Sequence, residues 1–257
     1  MGLSVAIVAH NEEANLGRTL ESVKWAEEIV VVDSGSTDRT CEIARQYGAK
    51  VIVEPWRGYA AQKNYAIENC TREWVLSLDA DEEIEPGLAD EMRRAVADPQ
   101  ALNGYWMPRK NLYLGRWVRR GGLYPDPKLR LFRRGRAHVI GPDPHDRVVL
   151  NHDVDQRSGR FRHAMVHYTY PTLALYIDHM NRYSSLGAKA ARARGHRRFS
   201  LVNIVLRPWL TFVYNYIVRL GFLDGREGLL LHLYHAVYVS WKYAKAWELG
   251  RSSEAHH

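Results

Sequence analysis

The fold is decided by one short stretch, Trp74-Val75-Leu76-Ser77-Leu78-Asp79-Ala80-Asp81. A brief apolar run of this kind is typical of a strand buried on both faces of a parallel sheet. Open α/β sheets bind ligands at the carboxyl ends of such strands. Asp79 and Asp81 can hold a divalent cation there, Mg²⁺ or Mn²⁺, together with substrate phosphates. The alternative is a solvated acidic turn, which the following Glu82-Glu83 favours.

Three apolar runs of the same character precede this stretch. They are Leu3–Ala9, Ile29–Val32 and Val51–Val53, so strand starts recur every 22 to 26 residues. Alternation of short buried strands with helices predicts a parallel sheet with right-handed crossovers. The helical patterns fall at about Asn15–Trp25, Asp38–Tyr47 and Tyr59–Asn69, and a further helix is expected at Pro86–Ala97.

Polar motifs also follow the first two strands. The first strand runs into Ala9-His10-Asn11-Glu12, and the second into Asp33-Ser34-Gly35-Ser36-Thr37-Asp38. A carboxylate at the position of Asp33 can accept hydrogen bonds from a ribose or a base edge. The chain contains neither a P-loop nor a Rossmann glycine motif, so those two nucleotide-binding folds lose their main support.

The second half of the chain has a different pattern. Short runs separated by Gly and Pro, up to about residue 165, predict β-hairpins that complete the sheet. Helices are expected at Thr172–Ala193, Asn203–Leu220 and Glu227–Leu249. The last two are strongly apolar and aromatic, but basic residues interrupt them before the length of a membrane span. They suit either a membrane headgroup interface or a pair of core or dimer helices.

Charge is distributed unevenly over the 257 residues, whose net charge is +7. Residues 1–100 carry 10 Lys/Arg and 19 Asp/Glu, whereas residues 101–257 carry 26 Lys/Arg and 10 Asp/Glu. A basic, aromatic half suggests nucleic acid, an anionic membrane or a phosphorylated substrate as partner. The 46% hydrophobic content excludes a disordered, collagenous or coiled-coil chain. Two cysteines and the absence of a basic region before Leu3 favour a reducing compartment without a signal peptide.

The three strand-end motifs together resemble glycosyltransferase family 2, which has the GT-A fold. The matching pieces are Ala9-His10-Asn11-Glu12, the segment Val31 to Asp38, and Asp79-Ala80-Asp81. Other segments are similar to the branch of lipopolysaccharide inner-core β-1,4-glucosyltransferases. They are Gly58 to Asn64, Tyr124 to Phe132, and Gly221-Phe222-Leu223-Asp224-Gly225.

The resemblance implies roles for individual residues. Ala9, Asn11 and Glu12 would line the nucleotide pocket, Asp33 would meet the base or ribose, and Lys63 would approach the base or phosphates. Asp79-Ala80-Asp81 matches the family's Asp-x-Asp motif, which contacts ribose and the metal–diphosphate. Arg130, on a predicted strand, is assigned to an anionic group of the donor or acceptor because guanidinium pairs well with phosphate.

An inverting transferase also needs a base that deprotonates the acceptor hydroxyl. Relatives often carry His-Glu where this chain has His145-Asp146, so Asp146 is the predicted base. Asp143 and then Asp126 are the alternatives. His145 would either ligate the metal or orient the base, or serve a purely structural role.

The resemblance, together with the residue patterns, implies a metal-dependent inverting hexosyltransferase with a GT-A-type, mostly parallel α/β sheet flanked by helices and a hydrophobic C-terminal helical extension. Residues 1–198 would form the transferase domain, with a donor and metal half at 1–100 and an acceptor half at 101–198. Residues 199–250 would bind membrane or a second subunit.

The donor would be a nucleotide-sugar, with UDP favoured, and the acceptor an anionic glycolipid such as a lipopolysaccharide core. We expect a cytoplasmic enzyme on the inner membrane face. A polyprenyl-phosphate or polysaccharide acceptor is an alternative, and a sugar nucleotidyltransferase or a nucleic-acid-binding module is less favoured.

Overall fold

The computed structural model describes residues 2–141, 146–196 and 198–254. It divides into two compact units, one of Met1–Lys110 with Asp126–His167 and one of Asn111–Pro125 with Tyr168–His257. The predicted domain bounds, 1–198 and 199–250, stay a prediction. The strands are β1 (Leu3–Ala9), β2 (Glu28–Asp33), β3 (Lys50–Val53), β4 (Trp74–Asp79), β5 (Glu82–Ile84), β6 (Gly104–Met107), β7 (Arg109–Tyr113), β8 (Arg116–Trp117), β9 (Lys128–Arg133), β10 (Ala137–Ile140), β11 (Arg147–Leu150), β12 (Gly159–Arg160) and β13 (Met165–Tyr170). The α-helices are α1 (Leu16–Val23), α2 (Thr40–Gln46), α3 (Tyr59–Glu68), α4 (Pro86–Ala97), α5 (Leu173–Ala193), α6 (Arg207–Phe212) and α7 (Gly225–Glu254).

A seven-stranded sheet is the centre of the first unit, with the order β12-β6-β9-β4-β1-β2-β3. The four strands β3, β2, β1 and β4 are parallel neighbours. β9 is antiparallel to both β4 and β6, so segments after residue 100 complete the sheet as predicted. The predicted α/β class, a mostly parallel sheet flanked by helices, is therefore confirmed.

Helix α1 packs against one face of the sheet through its apolar side chains. It buries Leu16, Thr19, Leu20 and Val23, which recur at the spacing of one helix face. The apolar side chains Leu16, Leu20 and Val23 join a core that includes the fully buried Trp74 of β4. The Thr19 hydroxyl also donates to the carbonyl of Ala80 at 2.7 Å, which fixes the turn after β4.

Register brings the three predicted motifs to one edge of the sheet. Ala9, the last residue of β1, pairs with Asp33, the last residue of β2. Val8 pairs with Asp79 at the end of β4. The carboxyl ends of these three strands are consequently adjacent, as the sequence predicts.

The second unit contains the three helices that the sequence predicts after residue 171. α5 and α7 pack closely where small residues Ala188, Ala191 and Ala246 are buried. A second cluster is centred on the buried side chains of Tyr113 and Tyr176. The predicted turn at 221–225 is a 3-10 helix over Gly221–Asp224.

The helix predicted at 203–220 is continuous but irregular. π-helical turns at Val202–Leu206 and Val213–Val218 flank α6. Pro208 has no N–H to donate to the carbonyl of Ile204. That carbonyl instead accepts the hydroxyl of Ser240 at 2.8 Å. Among the described residues, no helix combines the length and apolar character that crossing a bilayer requires.

Candidate functional site

The loops after β1 and β2 hold each other by hydrogen bonds. Asp33 is 1% exposed, and its Oδ2 accepts the backbone N–H groups of Gly35 at 2.9 Å and Ser36 at 2.8 Å. The Asn11 N–H donates to Ser36 Oγ at 2.8 Å, and Asn11 Oδ1 accepts the Thr37 N–H at 2.9 Å. Asn11 and Asp33, both predicted to contact the nucleotide, therefore belong to two loops joined by hydrogen bonds, and the buried Ala9 pairs with Asp33 in the sheet.

Glu12 lies in acidic surroundings at the same edge. Its Oε2 accepts the side-chain amide of Asn15 at 2.9 Å. Burial raises the pKa of Glu12, and the nearby carboxylates of Asp81, Asp38 and Asp79 raise it further against the effect of the Asn15 bond. A concentration of negative potential at this edge favours a cation.

The Asp79 carboxylate forms ion pairs with two basic side chains. Its Oδ1 lies 2.7 Å from Lys63 Nζ, and its Oδ2 lies 2.5 Å from Arg130 Nη2. Burial alone would raise the pKa of Asp79, yet Arg130 and Lys63 hold it well below its usual range. Asp79 is therefore ionised and neutralised by these partners.

Lys63 connects Asp79 to the predicted base. Its ammonium also lies 2.9 Å from Asp146 Oδ2, and the Lys63 and Asp146 side chains are each 12% exposed. Burial lowers the pKa of Lys63, but Asp79 and Asp146 outweigh this and the repulsion from Arg130, so the pKa is raised. Asp79, Lys63 and Asp146 thus form one chain of charges at the sheet edge. Asp143, the first alternative for the base, and His145, predicted to ligate the metal or to orient the base, lie outside the described residues.

The interpretation of Glu82 as part of a solvated turn is wrong. Its side chain is completely buried on β5, and its Oε2 accepts the backbone N–H of Asp79 at 3.0 Å. Its Oε1 lies 3.0 Å from Arg130 Nη2 and 3.2 Å from Arg109 Nη1. Arg109 in turn contacts Asp126 at 2.8 Å, the third-ranked candidate for the base. Glu82 therefore fixes the guanidinium groups that surround the Asp-x-Asp motif.

Arg130 lies within this network rather than on an open surface. It is 6% exposed, and burial lowers its pKa less than Asp79 and Glu82 raise it. Its Nε is a buried donor that has no hydrogen-bond acceptor among the described residues. The predicted role of Arg130 toward an anionic ligand stays a prediction.

Asp81 has a histidine partner that the sequence argument missed. His167 Nε2 lies 3.2 Å from Asp81 Oδ2, with side-chain exposures of 15% and 27%. His167 belongs to β13, which pairs antiparallel with β5 and sets His167 opposite Glu82. In the sequence, His167 is a lone histidine in a strand-like run, Met165–Tyr170, far from the motif, and nothing local indicates its contact with Asp81.

The donor set at Asp81 fits a small divalent cation. A carboxylate oxygen and an imidazole nitrogen are both ligands that Mn²⁺ accepts, and Mg²⁺ takes one or two carboxylates beside substrate phosphates. No cluster of three or more His, Cys, Asp or Glu side chains suited to a metal occurs in the described part of the chain. Two protein ligands at Asp81 would leave the remaining positions to a diphosphate and water.

Comparison with known proteins identifies the family. Residues 4–156 match the family described as Glycosyl transferase family 2, which is more than half of the chain. The chain belongs to glycosyl transferase family 2. As a family 2 glycosyltransferase it is an enzyme, and the predicted enzyme class is confirmed.

Relatives of this family 2 glycosyltransferase extend over nearly its full length. An uncharacterized glycosyltransferase of Rickettsia typhi is 32% identical over 98% of this chain and 88% of its own. The lipopolysaccharide core biosynthesis glycosyltransferase LpsC of Rhizobium meliloti is 30% identical over 96% of this chain and 92% of its own. Among solved structures, S. aureus TarS 1-349 in complex with UDP is 17% identical, with a TM-score of 0.46 over 100% of this chain and 92% of its own.

Proposed function

We propose that this family 2 enzyme transfers a hexose from a nucleotide-sugar, with UDP as the favoured nucleotide, to the hydroxyl of an anionic glycolipid. One observation carries the proposal: Lys63 joins Asp79 of the Asp-x-Asp motif to Asp146 of a distant segment, and Asp81 of the same motif lies 3.2 Å from His167. That arrangement places a candidate cation site and a candidate base in the same compact unit.

The candidate metal ligands are Asp81 with His167, and Asp79 as a second carboxylate. A bound Mg²⁺ or Mn²⁺ would supply electrostatic stabilisation of the leaving diphosphate. Asp79 contacts Lys63 and Arg130 in this structure, so its use as a ligand requires one of these cations to turn to another anion. The donor's diphosphate is such an anion, and Lys63 and the unsatisfied Nε of Arg130 would provide donors to it.

Asp146 would act as the general base. An acceptor hydroxyl gives its proton to the Asp146 carboxylate while its oxygen forms the new bond to the anomeric carbon of the sugar. The bond between that carbon and the diphosphate oxygen breaks, and the electron pair leaves with the diphosphate. Attack opposite the leaving group inverts the anomeric configuration. Lys63 keeps the Asp146 carboxylate oriented at 2.9 Å before the reaction.

The acceptor assignment is supported by two independent features. The LpsC relative is described as a lipopolysaccharide core biosynthesis enzyme and matches over nearly the full length. Residues 101–257 carry 26 Lys/Arg against 10 Asp/Glu, which suits an anionic glycolipid acceptor. We place the enzyme on the inner membrane face as a peripheral protein, where such an acceptor is available.

The direct test is a thermal-shift screen followed by a transfer assay. UDP-, GDP-, ADP- and CDP-sugars are compared with and without Mn²⁺, because a ligand that binds the folded state raises the melting temperature. The best donor is then incubated with purified lipopolysaccharide core, and the product linkage is determined by NMR. Transfer with inversion is the expected result. Transfer with retention, or stabilisation by no nucleotide-sugar, would overturn the proposal.

A further inference from the structure

The helical segment 202–218 turns apolar side chains to solvent in a regular pattern. Their spacing of three and four residues places them on one side of the helix. Its other side is buried or half-buried, as at Pro208 and Ile204. A surface helix of a water-exposed protein normally shows the reverse arrangement. The exposed side chains, named here the apolar face, are Val202, Val205, Leu206, Trp209, Leu210, Tyr214, Ile217 and Val218, between 46% and 63% exposed.

The apolar face extends beyond the helix and includes a groove. Leu220, Phe222 and Leu223, which follow directly, are also exposed. Contiguous apolar surface of this kind marks an interaction site, unlike single exposed hydrophobic residues. A shallow groove of about 380 Å³ crosses it, lined by Val202, Leu206, Arg207, Leu210, Thr211 and Tyr214.

The charge of the residues near the apolar face indicates which kind of partner binds it. Residues 179–223 contain eight Lys/Arg and no Asp/Glu. Arg207 is exposed at the groove, and Arg219 is exposed where the segment ends. Two copies of this chain packed through the face would bring these like charges together, whereas interface cores are depleted of charge. A bilayer with anionic headgroups matches both the apolar surface and the exposed arginines Arg207 and Arg219 within the same segment.

We infer that the apolar face docks on an anionic lipid bilayer. The apolar side chains enter the boundary between headgroups and acyl chains, Trp209 and Tyr214 lie at headgroup level, and the Lys/Arg side chains contact lipid phosphates. The inference makes the peripheral membrane association of the proposed function specific to one surface. It requires no particular donor, metal or acceptor.

The test measures binding of the full chain to vesicles in the absence of donor and acceptor. Vesicles of phosphatidylglycerol and phosphatidylethanolamine are compared with vesicles of phosphatidylcholine in a sedimentation assay. The variant Val205→Glu/Ile217→Glu changes two exposed positions of the apolar face. The matched control is Leu175→Glu/Leu186→Glu, which adds the same charge at two exposed leucines of α5. Circular dichroism checks that both variants keep the wild-type melting temperature.

The wild type and the control should bind anionic vesicles, with weaker binding at high salt. The apolar-face variant should bind at least about tenfold more weakly, since two apolar side chains lose their burial. Equal loss in both variants would overturn the inference. So would a wild type that ignores vesicles and forms a dimer that Val205→Glu/Ile217→Glu dissociates in light scattering. A transfer assay with a water-soluble acceptor separates these outcomes from failure of the proposed function.

Discussion

Lys63 Nζ lies 2.9 Å from Asp146 Oδ2, and this contact joins α3 to the residue that precedes β11. The same ammonium lies 2.7 Å from Asp79 at the end of β4. One cation therefore bridges the predicted general base and the first carboxylate of the Asp-x-Asp motif. Release of Lys63 toward a diphosphate would free the Asp146 carboxylate and Asp79 Oδ1 at the stage when the donor is bound, while Asp79 Oδ2 keeps its contact with Arg130.

Asp146→Asn removes the proposed base while keeping the side chain's shape. We expect the transfer rate to fall by about 10²- to 10⁴-fold, the usual contribution of general base catalysis. Nucleotide-sugar binding, followed by thermal shift, should persist because the proposed contacts to the donor are made by Lys63, Arg130 and the cation site and not by Asp146 itself. Asp153→Asn, at an exposed position nearby in sequence, is the control and should keep full activity. An Asp146→Asn enzyme with wild-type turnover would assign the base to another residue.

The depressed pKa of Asp79 predicts that the free energy of unfolding decreases in acid. Because its folded-state pKa is depressed, the stability that it contributes is complete above the unfolded pKa of about 4 and is lost as pH falls further toward the folded value. The urea midpoint of the wild type should therefore decline below about pH 4.

Asp79→Asn should be less stable at pH 7, because Lys63 and Arg130 lose a charged partner, and its midpoint should decline less steeply in acid. Urea titrations between pH 6 and pH 3 measure both quantities. Parallel curves for the two proteins would contradict the assignment of this depressed pKa.

Glu82→Gln tests whether the buried carboxylate organises the site. Its loss leaves Arg130 and Arg109 without the charge that they share, so we expect destabilisation of about 3 to 5 kcal/mol in chemical denaturation. Glu83→Gln is a matched control next to it, at a side chain that is 31% exposed and pairs with Arg18 at 3.9 Å. That control should change stability by less than about 0.5 kcal/mol. Equal losses of unfolding free energy in the two variants would contradict the organising role of the buried Glu82 carboxylate.

The sequence was sufficient to predict the parallel core of the sheet. Short runs such as Leu3–Ala9 and Trp74–Leu78 carry their strand signal locally, and their near-constant spacing indicates the crossovers. Because parallel strands end at the same edge, the convergence of Asp33 and Asp79 followed from the pattern alone. The helix Pro86–Ala97 begins and ends as predicted, since Pro at the first turn marks its start.

The partners of the motif could not be predicted in the same way. Glu82 continues an acidic run, and nothing local shows that β13 and Arg130 enclose it. His167 approaches Asp81 through the pairing of β13 with β5, which are about eighty residues apart in sequence. Such long-range pairings depend on tertiary packing, so periodicity within a window does not indicate them. The apolar character of 202–218 was visible in the sequence, but which side faces solvent was not.

The proposed cation site of the donor, formed by Asp81 and His167, is tested by titrating UDP into the enzyme calorimetrically with and without Mn²⁺. Mn²⁺ should tighten UDP binding in the wild type and in His163→Gln, a control at a histidine that is 55% exposed and pairs with Glu91. In Asp81→Asn and His167→Gln the tightening should be at least about tenfold smaller, since even loss of an outer-shell partner costs that much metal affinity. A Kd for UDP that responds equally to Mn²⁺ in all four proteins would show that Asp81 and His167 do not hold the cation.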